Sequence, residues 1–187
     1  MTRTMPTPLF IHVDNDNPGA AHDSMHRVEA EYLAWVRSEI SKCFPALATR
    51  GDLLHRPDGD AHVPQALCAG HAQGTMLYLI EVDGEPAGMC GLRSLASSTA
   101  EIKRLYVRPA YRGMQLGSLA LRRLLADAHQ RGYARICLDT AHFMKAAQAV
   151  YEAHGFKDCA AYEGTEVPVA MRSRWRFMQR AVTLSCP

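Results

Sequence analysis

The sequence predicts an α/β (α+β) chain, a mixed and mostly antiparallel central sheet flanked by helices. Two apolar runs meet at Asp83 and Gly84, a two-residue hairpin signal, and a third run follows Ser97 and Ser98, so antiparallel strands come first. Strand and helix then alternate from residue 99 to residue 156, and a β-α-β unit brings a parallel pair into the same sheet. The chain has 187 residues, 48% of them apolar and 21% charged, which is the composition of a globular protein. A chain of that length supports one sizeable core without staples.

The elements follow in order. Leu9 to Val13 is a short apolar strand, closed by the turn cluster from Asp14 to Gly19. Asp23 is expected to cap a helix whose apolar face carries Met25, Val28, Tyr32, Val36 and Ile40, widened by Leu33 and Trp35, and which ends near Phe44 and Pro45. Residues 45–74 read as loop-rich, with a turn from Arg56 to Asp60 and one short helix from Val63 to Cys68. Strands are expected at Met76–Val82, Ala87–Leu95 and Thr99–Val107, with Gly88 and Gly91 marking bulges and Pro109 stopping the third. The stretch from Gly113 to Gly117 opens a helix striped with Leu121, Leu124, Leu125 and Ala128 and ended by Gly132. Ile136–Leu138 is a short buried strand. Phe143, Ala147, Val150, Tyr151 and His154 share one face of a further helix, capped by Gly155 and Phe156. Trp175, Phe177 and Met178 mark a last strand, with Arg172, Arg174 and Arg176 alternating on a solvated face. That strand is expected to be exposed, so pairing with another copy makes a homodimer the candidate assembly.

Composition narrows the function. Lys and Arg total 21 against 19 Asp and Glu, a net charge of +2, which is too weak to make nucleic acid or an anionic membrane the main partner. No apolar run approaches a membrane span, and Met1 to Val13 lacks the pattern of a signal peptide, so the cytoplasm is the expected compartment. The cysteines at 43, 68, 90, 137, 159 and 186 are scattered without a C-x-x-C pair and read as reduced thiols, Cys137 being buried and inert. His22 and His26 stand at i, i+4 with no third ligand cluster, so no metal site is expected.

Chemistry concentrates between Glu101 and Gly117. A strand ends, a loop carries Arg112 and Gly113, and an amphipathic helix begins after Gly117. A helix N-terminus offers free N–H groups and a partial positive charge, and glycines let a ligand approach the backbone. Together with Arg112 these make a pyrophosphate cradle, although an ordinary strand-to-helix turn would also use glycine. The glycine spacing is wrong for a dinucleotide fingerprint, and the Gly-Lys-Ser/Thr of a Walker loop is absent.

The segment resembles the acetyl-coenzyme A loop of the GNAT superfamily of N-acetyltransferases, Arg/Gln-x-x-Gly-x-Gly/Ala. Arg112 and Gly117 match its ends, and Gln115 replaces its middle glycine, where helical backbone would keep the N–H available. Tyr151, Gly155 and Phe156 are similar to the family's Tyr-x-x-x-Gly-Phe, and Met144 stands where an asparagine is common. The resemblance runs from about Met76 to Phe156.

The resemblance implies the GNAT (acyl-CoA N-acyltransferase) fold and a single N-acetyltransferase domain over residues 1–187. Its N-terminal part, 1–75, would be variable and bind the acceptor, and 76–160 would be the acetyl-CoA-binding core. Acetyl-CoA would be the co-substrate, with no metal. Its pantetheine arm would lie along Leu105, Tyr106 and Val107, and its diphosphate on Arg112, Gly113, Met114, Gln115, Leu116, Gly117 and Ser118. The acceptor would be a primary amine on a small molecule or peptide. Tyr151 would be the general acid, although packing alone also explains it, and Glu101 the general base, although a surface ion pair with Lys103 and Arg104 explains that carboxylate equally. The rival readings are a non-catalytic coenzyme A-binding sensor or interaction module and an unrelated nucleotide-phosphate binder. Trp35 and Tyr32 are candidates for an acceptor pocket or for core packing.

Overall fold

The computed structural model describes residues 7–13, 19–44 and 75–182. The turn cluster after Val13, the expected turn and helix between residues 45 and 74, and the cysteines at 68 and 186 lie outside the described residues. In chain order the elements are β1 (Leu9–His12), α1 (Ala20–Cys43), β2 (Met76–Val82), β3 (Glu85–Ala96), β4 (Thr99–Val107), α2 (Leu116–Gln130), β5 (Arg135–Ala141), α3 (Lys145–Ala153), β6 (Lys157–Cys159) and β7 (Trp175–Ala181). Short 3-10 turns cover Pro109–Tyr111 and Val169–Arg174. The described strands form a seven-stranded sheet in the order β1-β2-β3-β4-β5-β7-β6. Only β4 and β5 pair in parallel, as expected for strands joined by a helix.

Both faces of the sheet are covered, which is why β2 is apolar nearly end to end rather than alternating. Under α2 and α3 lies the larger core, built from Tyr78, Ile80, Leu92, Ile102, Leu121, Leu124, Leu138, Tyr151 and Met178. The other face meets α1, whose Met25 and Val28 pack on Leu77, Leu79, Met89 and Tyr106. No helix of the described residues is long and apolar enough to cross a membrane.

Several boundaries differ from the expectation, each for a physical reason. The first helix starts at Ala20 after an extended Gly19, and Asp23 sits inside the first turn, where its carboxylate meets the positive end of the helix dipole. On that turn His22 and His26 hydrogen-bond each other, Nε2 to Nε2, at 3.1 Å. β5 is longer than Ile136–Leu138, because Asp139, Thr140 and Ala141 pair with Phe177, Arg176 and Trp175 of β7. Phe143 precedes α3 and joins an aromatic cluster instead of the helix face. β7 is not an exposed edge strand. It lies between β5 and β6, so the sheet ends on β1 and β6. A 3-10 turn removes Arg172 and Arg174 from the strand, while Arg176 pairs with Glu152 and Asp158.

The hairpin and bulge signals took effect. Asp83 and Gly84 both have positive φ, 53° and 81°, the turn that suits the twist of paired strands. The β3–β4 register passes from Met89↔Tyr106 to Gly91↔Lys103, so the bulge near Gly91 lies on the partner strand, at Arg104 and Leu105, with Arg104 at φ 55°. Gly88 is needed for close approach: a Cβ there would collide with the Tyr106 carbonyl oxygen and stand 3.2 Å from Val107 Cα. Gly88→Ala is therefore expected to destabilise the fold by roughly 1–3 kcal/mol. A lower urea midpoint would show it, and an unchanged midpoint would contradict it.

Candidate active site

The site begins where two parallel strands separate. The β4–β5 pairing ends at Glu101↔Cys137. Beyond it, β4 continues to Val107 alongside β3, and β5 continues to Ala141 alongside β7. The edges that face each other across this splay have no strand partner among the described residues. On β4, Leu105 packs toward the α2 and α3 core. Tyr106 turns to the opposite face, stacked on Trp35 with ring centroids 6.2 Å apart and beside Tyr32 at 5.4 Å. Val107 pairs with Gly88.

The chain leaves this edge for the expected cradle. After the 3-10 turn at Pro109–Tyr111, Gly113 has φ 84° and Gln115 has φ 59° and ψ 13°. Gln115 is thus left-handed rather than helical, and α2 starts one residue later, at Leu116. Leu119 is the first helical donor, to the Gln115 carbonyl at 3.0 Å. The N–H groups from Gly113 to Ser118 have no backbone acceptor among the described residues. Met114 and Leu116 anchor the loop in the core. Arg112 is exposed beside them, its Nε 3.4 Å from the Val107 carbonyl. A Cβ on Gly117 would meet only ordinary contacts, 3.7 Å to Leu105 and 4.0 Å to Val150, and its φ is not positive. Neither strain nor packing calls for glycine there. These residues fit a diphosphate: free N–H donors, a helix N-terminus and one exposed guanidinium. The Ser118 hydroxyl is engaged elsewhere, 3.0 Å from His154 Nε2. His154 Nδ1 lies 2.8 Å from the Val150 carbonyl, which can only accept, so Nε2 accepts from Ser118.

Tyr151 and Glu101 lie on opposite sides of the sheet, flanking the splay. Tyr151 belongs to the core beneath α3. Burial raises its phenol, and Tyr32, Asp139 and Cys90 raise it further. Burial likewise lifts Tyr32, to about 12.

Glu101 is not in a surface ion pair. It is fully buried, with 0% exposure. Arg93 Nε donates to one carboxylate oxygen and Tyr162 Oη donates to the other at 2.7 Å. Lys103 Nζ lies 3.6 Å from Glu101, 3.5 Å from Asp139 and 3.1 Å from Glu166. Arg93 also reaches Glu166 at 2.9 Å, and Trp175 Nε1 donates to Asp139 at 3.1 Å. Burial pushes the Glu101 carboxyl up, against the pull of Lys103, Tyr162 and Arg93. Burial works against charge on Lys103 too, but Asp139, Glu101 and Glu166 outweigh it and keep the ammonium protonated. Three carboxylates share two cations here, so the group carries a surplus negative charge. Next to it stand Tyr32, Trp35, Phe143 and Trp175, linked by ring contacts of 5.6–6.3 Å. Arg104 pairs with buried Glu29 of α1, and its charge also acts on Glu166.

Comparison with known proteins settles the family. The profile of the Acetyltransferase (GNAT) family matches residues 36–156. The chain belongs to this family. A GNAT match that starts in α1 reaches well upstream of Met76, where the recognisable motifs begin. An uncharacterized N-acetyltransferase of Schizosaccharomyces pombe is 31% identical over 100 residues, spanning 53% of this chain and 61% of that protein. YjgM of Escherichia coli, also an uncharacterized N-acetyltransferase, is 29% identical over 128 residues, spanning 67% of this chain and 74% of that one. The fold is shared with yncA of Salmonella typhimurium, solved with its cofactor acetyl-CoA, at TM-score 0.60 and 16% identity over 97% of both chains.

Motif reading of the GNAT pattern finds the loop and Tyr151 but passes over Arg93, Asp139, Tyr162 and Glu166. Counting back from the Ser97-Ser98 turn places Ser94 opposite Glu101, and only the register shift between Ser94 and Ala96 brings Arg93 there. Tyr162 and Glu166 come from an irregular segment whose sequence carries no such count. Left-handed Gln115 is the strained point of the cradle, since such backbone costs a non-glycine residue roughly 1–2 kcal/mol. Gln115→Gly is expected to stabilise the free protein by about 1 kcal/mol, raising the unfolding midpoint by roughly 2–4 °C. A lowered midpoint in thermal denaturation would mean that the Gln115 side chain contributes more than its backbone costs.

Proposed function

We propose that this GNAT chain is an acetyl-CoA-dependent N-acetyltransferase acting on a primary amine, as one catalytic domain whose residues 76–160 hold the donor. The observation that carries the reading is the run of free N–H groups from Gly113 to Ser118, set at the end of a β4 edge that β5 leaves unpaired. Acetyl-CoA supplies an acyl thioester, already reactive toward amines. The N–H groups and Arg112 balance the diphosphate charge. The β4 edge from Leu105 to Val107 offers its backbone to the amides of the arm, as a neighbouring strand would. Much of the acceleration comes from this alignment.

The acceptor side is the face that carries α1. An amine arrives as an ammonium, and the surplus negative charge around Glu101, Asp139 and Glu166 attracts it, with Tyr32, Trp35, Phe143 and Trp175 as an apolar wall. The ammonium must lose a proton before attack. Glu101, with its carboxyl lifted by burial, is poised to take it. Because Glu101 is sealed, the proton travels through a relay, and Tyr162 Oη, already bonded to the carboxylate, is its first member. Tyr151 Oη holds the proton that the departing thiolate needs. The burial that raises the phenol also raises a thiolate formed in the same slot, so the two stay matched. One observation favours the alternative, a coenzyme A-binding module without catalysis: both Glu101 oxygens are already satisfied.

A free-thiol release assay with acetyl-CoA across a panel of amines separates the two. Thiol release that requires an amine, and competition by coenzyme A but not by ATP, support the transferase. Tight coenzyme A binding with only slow, amine-independent hydrolysis supports the module. In the transferase, Tyr151→Phe is expected to lower kcat by about 10²-fold or more at unchanged KM for acetyl-CoA. Undiminished turnover would remove the acid role. Glu101→Gln is expected to lose the acidic limb of the kcat/KM pH profile, and a limb that persists would place the base elsewhere.

A further inference from the structure

Two buried polar side-chain atoms lack a hydrogen-bond partner among the described residues, Arg104 Nη1 and Thr140 Oγ1. The first lies against the Glu29 carboxylate in an ion pair. Thr140 has no such relief. It is 1% exposed, and a buried hydroxyl without a partner calls for an explanation. Thr99, the other buried threonine of this sheet, receives a hydrogen bond from Arg135 at 3.3 Å. Thr140 lies on β5 beyond Cys137, where β4 has already moved away. By strand alternation its side chain shares the face of Ile136 and Leu138, the face that carries Tyr151. Its β7 partner is Arg176, whose guanidinium bonds Gln148 and Glu152 of α3. Gln148 in turn donates to the carbonyl of Ala141, the residue after Thr140, at 2.7 Å. These neighbouring polar groups are thus engaged with one another, and Thr140 stands on the stretch of β5 that β4 no longer pairs.

We propose that Thr140 binds the donor: its hydroxyl hydrogen-bonds an amide of the pantetheine arm from the β5 side, opposite the backbone of Leu105 to Val107. The inference rests on the reading that coenzyme A enters the splay. It assigns a positioning role to a residue outside the loop and helix motifs, and it makes the slot two-walled, backbone on one side and a hydroxyl on the other.

Calorimetric titration with coenzyme A and thermal unfolding of the free protein test it together. Thr140→Val keeps the shape and removes the hydroxyl. The expected result is coenzyme A affinity lowered about tenfold, equivalent to about 1.4 kcal/mol, with the unfolding midpoint of the free protein unchanged or higher. Thr140→Ser, which keeps the hydroxyl, should bind coenzyme A nearly as the parent does. The KM for the amine should stay constant in both. Unchanged affinity in Thr140→Val overturns the proposal, as does a lowered midpoint of the free variant, because the hydroxyl then has a partner within the protein or in bound water. If the parent protein itself does not bind coenzyme A, the reading of the splay fails and this proposal fails with it. Affinity lost only in the variant separates the two.

Discussion

Two parallel strands that begin as neighbours and then part shape the candidate site of this molecule. Parallel pairing satisfies the edges of β4 and β5 only from Thr99 to Glu101 on one strand and from Arg135 to Cys137 on the other. Past that point each strand follows a different partner. β7 holds β5 along its whole length, and β3 holds β4 through a bulge at Arg104 and Leu105 that bends it away. Ion pairs from α1 keep the bent strand in place: Glu29 with Arg104, and Glu31 with Arg108 through both carboxylate oxygens. If the pairing continued, the unpaired backbone edges of β4 and β5 would not exist.

The same separation explains the chemistry around Glu101. A fully buried carboxylate is costly unless its lone pairs and charge are met. Arg93, Tyr162 and Lys103 meet them. Lys103 and Arg93 then draw in Glu166 from the segment that folds over this face, and Asp139 closes the group from β5. The network therefore joins three parts of the chain that are distant in sequence, at the point where the strands diverge. Its carboxylates, Glu101, Asp139 and Glu166, outnumber the two cations, Arg93 and Lys103, that they contact. On the opposite face Tyr151 is surrounded by apolar side chains, so the two candidate proton-handling groups occupy environments as different as the faces they sit on.

Local signals were read correctly where the cause was local. Asp83 and Gly84 form the hairpin turn because both residues tolerate positive φ, and Met76–Val82 and Thr99–Val107 match the strands residue for residue. Gly155 and Phe156 end α3, with the Phe156 N–H donating to the Tyr151 carbonyl as in a Schellman cap. The loop expected between β4 and α2 is present, and its N–H groups from Gly113 to Ser118 have no backbone acceptor among the described residues. The misreadings had distant causes. β5 outruns its apolar core because β7 pairs with its polar end. Gln115 takes left-handed rather than helical backbone, because it stands at the turn into α2 and not inside the helix. Glu101 has charged neighbours in sequence, yet it is fully buried, with Arg93 and Tyr162 bonded to its two oxygens.

Strand and helix identity, the hairpin turn, the C-terminal end of α3 and the family resemblance were determined by the sequence alone, because hydrophobic period and turn chemistry act over a few residues. Which strands sit inside the sheet, how far β4 and β5 stay together, which carboxylates share which cations, and that Thr140 is buried without a partner were decided only by tertiary structure. Those properties depend on which surfaces exclude water and which backbone edges meet, and neither is set by residues adjacent in the chain.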